Sequence, residues 1–288
     1  MHKFLRSIGY SKIDKKELEE ILHSMSLQPD VIRVTKDSEG NEFAELFKEV
    51  GNNFGIIQRG CYREDESFQM FYYFPAKLGT SVTTEEMIEI EKHAEKESYA
   101  GVCDDNHLGV TLIFYLQTAA DYLAEQSLKK YSYAPKGAML AGLSVDGMIL
   151  LPVKNSEKSK ANKGKDRSKL IAEAKEGDEE AIEQLARDDS ETYSLIGERI
   201  IREDVFSIVS TCFMPYGIES DQYMVIGNIQ DFSLEKNRET GEEIYLLKIE
   251  CNDIIFDICI NKDDLLGEPA IGRRFRGSVW LQGCVCIE

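Results

Sequence analysis

The densest chemistry in the chain is Cys103-Asp104-Asp105-Asn106-His107, which sets a thiol, two carboxylates and an imidazole within five residues. Asp104, Asp105 and His107 are the candidate catalytic groups, with residue types suited to acid/base or metal work. Asp and Asn also favour turns because their side chains bond nearby backbone, and the turn is the preferred reading. Arg273, Arg274 and Arg276 form the candidate ligand-binding cluster, since guanidinium groups grip carboxylates and phosphates as a fork. Their preferred role is also structural, in pairs with the surplus carboxylates nearby. Cys251, Cys259, Cys284 and Cys286 could be imagined around zinc. Zinc knuckles use CxxC, however, whereas Cys-x-Cys on a strand sends both sulfurs to one face. These thiols therefore read as buried strand residues, and no metal is assigned.

Other signatures are missing from the sequence. There is no GxxxxGK[ST], no strand-linked GxGxxG and no GxSxG, so no cofactor is expected and no nucleophile is favoured. Gly79-Thr80-Ser81, placed before a possible helix, offers backbone amides that could hold an anion. The chain has 288 residues with 34 Lys+Arg against 52 Asp+Glu, a net charge of -18. Such a body repels phosphate backbones and anionic lipid, which disfavours nucleic acid as a partner. The apolar runs 110–116 and 148–153 are too short to span a bilayer, and no membrane association is expected. The absence of a signal-peptide pattern and the odd count of seven cysteines point to a reducing, cytoplasmic setting.

These residues need elements to position them. A capping box at Asp14 and Glu17 opens a helix carrying Leu18, Ile21, Leu22 and Met25 on one face, closed by Pro29. Four runs rich in β-branched and aromatic residues follow between 31 and 76, separated by turn clusters, and read as sequential antiparallel strands. A second capping box at Thr83 and Glu86 suggests a helix over the following residues, although the segment also alternates in places. Residues 108–116 read as a strand and 118–128 as a helix. Asp146-Gly147 between two apolar runs is the pattern of a two-residue hairpin.

Residues 154–169 contain seven basic residues and almost nothing apolar, so they read as a flexible basic linker. A helical connector spans 170–211, with short runs broken at Gly177-Asp178. Its lone AxxGDxxAxxxLA spelling, without a second copy, does not make a solenoid. Residues 212–288 hold four strand runs, with Gly227 suggesting a bulge or bend, and fit a small OB-like β-barrel. This segment has 14 acids against 7 basic residues, which argues again against phosphate binding. The expected fold is thus α+β: an N-terminal antiparallel sheet with helices over 1–153, the linker, the connector, and the barrel. The terminal strand is apolar on both faces, with Val279, Leu281, Gly283 and Val285 on one and Trp280, Gln282, Cys284 and Cys286 on the other, so both faces should be covered.

The stretches 203–232 and 268–283, with the opening MHKFLRSIGYSKI, resemble a family of uncharacterised clostridial proteins, a domain of unknown function spanning essentially the whole chain. That resemblance implies no activity, cofactor or site residue. Taken together, the residues favour a non-catalytic module that binds an unknown protein or a small anionic ligand. The alternative is an enzyme with a site assembled from scattered acidic and histidine residues.

Overall fold

A computed structural model of the chain describes residues 1–94, 98–105, 108, 110–128, 134–153, 170, 173–174, 177–187, 209–218 and 220–286. The protein is mostly β, with few helices. After a 3-10 turn at Lys3–Ile8, α1 runs from Lys15 to Leu27. Its capping box forms as expected: Glu17 N–H donates to the Asp14 carboxylate at 2.9 Å and Asp14 N–H to the Glu17 carboxylate at 3.0 Å. Leu18, Leu22 and Met25 are buried against a four-stranded sheet of β1 (Val31–Lys36), β2 (Glu42–Gly51), β3 (Phe54–Tyr62) and β4 (Phe68–Lys77). These strands pair antiparallel in sequence order, as the turn clusters between them predict.

The chain then enters a second, larger sheet through β5 (Thr84–Met87), β6 (Glu89–Ala94), β7 (Ser98–Asp105) and β8 (Val110–Leu116). The helix expected after Thr83 is absent. Thr83 caps nothing: its hydroxyl donates to Ile255 O at 2.9 Å and accepts Leu140 N–H at 3.0 Å. Pairing of β5 with a later strand and of β6 with β7 overrides the local helical pattern, as strand context often does. Helix α2 (Ala119–Leu128) follows β8, close to the expected bounds.

The Asp146-Gly147 hairpin does not form either. β9 (Lys136–Ser144) and β10 (Gly147–Leu150) do not pair with each other. Both lie antiparallel along one edge of β16 (Arg274–Val285), with Gly142 facing Leu281 and Gly147 facing Gly277. Residues 145–146 are therefore a bend in one interrupted strand. Gly147 is not among the residues with positive φ, which a type I′ turn would require. Its missing side chain serves packing instead: a Cβ there would lie 2.7 Å from both Ile260 Cδ1 and Phe275 Cε2.

Residues 154–169, the expected linker, lie outside the described residues, as does most of the connector. Within the connector, Gly177 has φ +91° and Asp178 accepts the N–H of Glu180 at 2.9 Å, opening a helix at 179–187. Ala181 is buried there, whereas Ile182 is exposed.

The remaining strands are β11 (Cys212–Pro215), β12 (Gln222–Lys236), β13 (Glu243–Cys251), β14 (Ile254–Asn261), β15 (Leu265–Leu266) and β16. The four expected runs are all present. The irregularity in β12 falls between Ile229 and Asp231, two residues beyond Gly227, whose bare backbone instead admits Ile249. The pairings run β12, β13, β14, β9, β16 and back to β12. β9, from before residue 154, thus enters between two strands from after residue 211, so segments far apart in the chain share one sheet. The cycle is uneven, with four residue pairs joining β14 to β9 against eight joining β13 to β14.

β16 divides two hydrophobic cores. Phe275, Val279, Leu281 and Val285 face the core inside the pairing cycle, with Phe256, Ile258, Leu247 and Phe114. Trp280 faces the other core, stacked on Phe4 at 5.3 Å and edge-on to Phe74 at 6.4 Å. Both faces of the terminal strand are covered, as its composition implies. The first 3-10 turn and β4 supply the second cover.

Between the two sheets runs a buried polar seam. Arg59 on β3, fully buried, donates to Glu45 at 2.8 Å, to Tyr72 OH at 3.0 Å, and to the carbonyls of Leu116 and Gln117 at 2.7 and 3.2 Å. Gln117 in turn donates to Lys77 O and Gln282 Oε1, and Gln282 to Pro75 O. Removing one partner of a buried ion pair strands the other, at about 3–5 kcal/mol. Arg59→Met should therefore lower stability by about that much in urea unfolding, and adding Glu45→Met should recover part of the loss rather than deepen it.

Candidate functional site

The structure separates the carboxylates of the 103–107 cluster. Cys103, Asp104 and Asp105 close strand β7, so successive side chains take opposite faces. Asp104 is exposed and accepts the Thr111 hydroxyl at 2.6 Å, whereas Asp105 is buried and accepts the Thr84 hydroxyl at 2.8 Å. His107 lies outside the described residues. Of the three arginines at the start of β16, two bond backbone carbonyls. Arg273 donates to Glu268 O at 2.8 Å, and buried Arg274 to Leu151 O at 2.7 and 2.9 Å and to Val209 O. Arg274 thereby ties the strand's entry to the backbone at Leu151 and at Val209.

Cys251, Cys259 and Cys284 are buried, as their strand setting implies, and Cys286 is half-buried. Cys259 bonds Ser7 O at 3.3 Å, and Cys284 bonds Gln117 Oε1 at 3.1 Å. Burial pushes all three buried thiols up to about 12, which keeps them protonated at neutral pH and poor as nucleophiles or metal ligands.

A different set of residues converges. On the outer face of the pairing cycle, Asp231 faces Lys248 across β12 and β13, and Lys248 faces Asp257 across β13 and β14. The three make one lateral row of acid, base and acid on adjacent strands. Above the row passes the segment leaving β4. Thr80 donates to the Asp257 carboxylate from both its N–H, at 2.7 Å, and its hydroxyl, at 2.8 Å. Lys77, 2% exposed, closes the roof. Together with Asn52 these groups line a cavity of about 150 Å³.

The electrostatics of this cavity are unusual. The Lys77 ammonium has three N–H donors and, among the described residues, makes one hydrogen bond, to Leu78 O at 2.9 Å. Burial holds its ammonium below the ordinary lysine range, with nearby Asp257 acting in the opposite direction and Lys248 adding to the depression. Lys248 forms no ion pair among the described residues. A desolvated cation with unused donors, beside a second cation and two carboxylates, suits a small polar molecule that brings its own negative group.

Sequence reasoning reached the rim of this site and missed its centre. Gly79-Thr80-Ser81 does present a backbone amide to an anion, but that anion is the chain's own Asp257, and a strand rather than a helix follows. Lys77 ends an aromatic strand with no motif around it, and Lys248 and Asp257 meet it only through the pairing of β13 with β14.

A family model described as "Domain of unknown function, E. rectale Gene description (DUF3881)" matches residues 5–283. The chain belongs to this family. No curated protein and no solved structure matches it. The DUF3881 match takes in both sheets, the polar seam and every residue of the Lys77 cavity, so the site lies within the family's own domain rather than in an appended segment.

The depressed Lys77 ammonium makes a testable linkage. Between its native value and the value near 10.4 of an unfolded lysine, the unfolded chain binds more protons, so this group makes stability rise with pH. The buried thiols move stability the other way in the alkaline range, so the difference between wild type and Lys77→Met is the quantity to read. In urea unfolding against pH, wild type should gain on the variant as pH rises through that window and level off above it.

Proposed function

We propose that this DUF3881 protein is a ligand-binding module whose site is the cavity between Lys77 and the Asp231–Lys248–Asp257 row, and whose ligand is a small molecule with a carboxylate or phosphate. The observation that carries the reading is Lys77: a lysine 2% exposed that lines a cavity and whose ammonium, among the described residues, uses one of its three donors. A ligand oxyanion received by Lys77 and Lys248 would restore the charge balance that burial disturbs. A cavity of 150 Å³ has room for roughly five waters of liquid volume, so the ligand, or the part of it that enters, is a few heavy atoms. Asp231 and Asp257 would receive an amino or hydroxyl group on the same molecule.

The scaffold in this reading is an OB-like barrel completed by β9, supported by the pairing order that returns to β12. The setting is a reducing cytoplasm, supported by seven free thiols. No helix among the described residues is long and apolar enough to cross a membrane.

Calorimetric titration of the full chain with acetate, glycine and inorganic phosphate tests the proposal. At least one should saturate with one site per chain, and Lys77→Met and Lys248→Met should each weaken it by about tenfold or more, equivalent to about 1.4 kcal/mol. The reading fails if none of the three saturates, or if both variants bind as wild type does.

A further inference from the structure

β1 ends the four-stranded sheet, and among the described residues no strand pairs with its outer edge. Its six residues keep an unbroken register with β2 and contain neither the bulge nor the proline that often blunts a sheet edge. Its two faces differ. Arg33 points towards α2, where it meets Asp121 at 2.8 Å. Ile32 and Val34, on the other face, are each 54% exposed, a large value for two apolar residues on one strand.

We propose that two copies of this chain associate by antiparallel pairing of β1 with β1, about a two-fold axis at Arg33. The register follows from symmetry. Outward-pointing N–H and C=O groups belong to alternate residues, so when a strand pairs with its own copy, facing residues share parity and the axis passes through a residue and itself. Centred on Arg33, the pairing uses the whole strand and sets Ile32 against Val34, Val31 against Thr35, and Asp30 at the strand's entry against Lys36. Apolar meets apolar on the exposed face, and at both ends Lys36 comes opposite Asp30, whose carboxylate also holds Lys48 at 3.3 Å and the Glu49 N–H at 2.9 Å. Moving the axis to Ile32 sets Asp30 against Val34, and moving it to Val34 sets Ile32 against Lys36, so either shift places a charge on an apolar side chain. The like charges on the axis are offset, because each Arg33 carries Asp121 as its counter-ion. The result joins two four-stranded sheets into one continuous antiparallel sheet. A contact built on six residues is at the small end for a stable dimer, so association depends on concentration.

Sedimentation equilibrium of the full chain over a wide concentration range should show the mass rising from one copy to two. Val34→Lys, at an exposed position, should remain a single copy throughout, with unchanged circular dichroism. The proposal fails if wild type keeps the mass of one copy at all concentrations, or if Val34→Lys leaves a dimer intact. The register has its own readout, since facing residues in such a pair have Cα atoms about 4.5–5.5 Å apart, within disulfide reach. On oxidation, Arg33→Cys should form a covalent dimer absent from wild type. Ile32→Cys alone should not, but Ile32→Cys mixed with Val34→Cys should. If wild type dimerises while Arg33→Cys forms no such crosslink, the pairing lies elsewhere and the proposal is overturned. That result decides the question even if Val34→Lys fails to fold.

Discussion

The arrangement of the two sheets depends on one buried cation. Arg59 emerges from β3 into the gap between the four-stranded sheet and the larger one, with no exposure to water. An isolated guanidinium there would be prohibitive, so its donors must be met from both sides. Glu45 and Tyr72 meet them from its own sheet, and the carbonyls at 116 and 117 from the end of β8. Those two carbonyls lie where β8 stops and the chain turns towards α2. Phe74 and Tyr115 stack about the cation at 5.0 and 5.7 Å and exclude water from it. An apolar interface of the same area would tolerate sliding between the sheets. A fork with fixed acceptors on both sides does not, and this fixes the position of β4 relative to β16.

That fixed position has consequences at the chain's two ends. With β4 held, Phe74 and Tyr115 make a wall against Trp280, and Phe4 from the first 3-10 turn closes the wall's other side. The N-terminal segment is tied to the turn between β12 and β13 by Asn237 to Ile8 O and Thr240 to Gly9 O, and to β14 by Cys259 to Ser7 O. The first ten residues thus act as a strap over the outside of the pairing cycle. Trp280 keeps its indole N–H bonded to Asp221 at 2.7 Å, so the largest aromatic side chain of the terminal strand leaves no orphan donor. Arg274 and Trp280 of the last strand thus both bond within the chain, the one to the carbonyls of Leu151 and Val209 and the other to Asp221.

How much of this was legible in the sequence follows from the range of the interactions involved. The capping box of α1, the sequential strands β1 to β4 and the four late strands are set by local pattern, and each formed where the pattern placed it. Residues 83–94 carry a capping spelling too, yet Thr83 and Thr84 bond Ile255 and Asp105, partners that no window around them contains. Asp146-Gly147 has the residues of a hairpin turn, but both flanking runs find a better partner more than 120 residues later in β16. A close approach by Phe275 then explains the glycine without any turn. The burial of both faces of β16 was readable because alternation survives whatever covers it. The identity of the cover was not.

The candidate site is the extreme case of the same effect. Lys77, Asp231, Lys248 and Asp257 are unremarkable singly in a chain with 52 acids. They become a site because the seam fixes β4 above the cycle, so the residue that ends β4 must fall over the outer face of β13 and β14. The lateral row on that face is then determined by register alone: moving β13 by one residue against either neighbour would turn Lys248 to the inner core, where Leu247 and Ile249 now lie. The hydrophobic alternation of β13 forbids that move. The core pattern, chosen by burial, therefore holds the charged row in place, and the buried arginine sets the lysine above it.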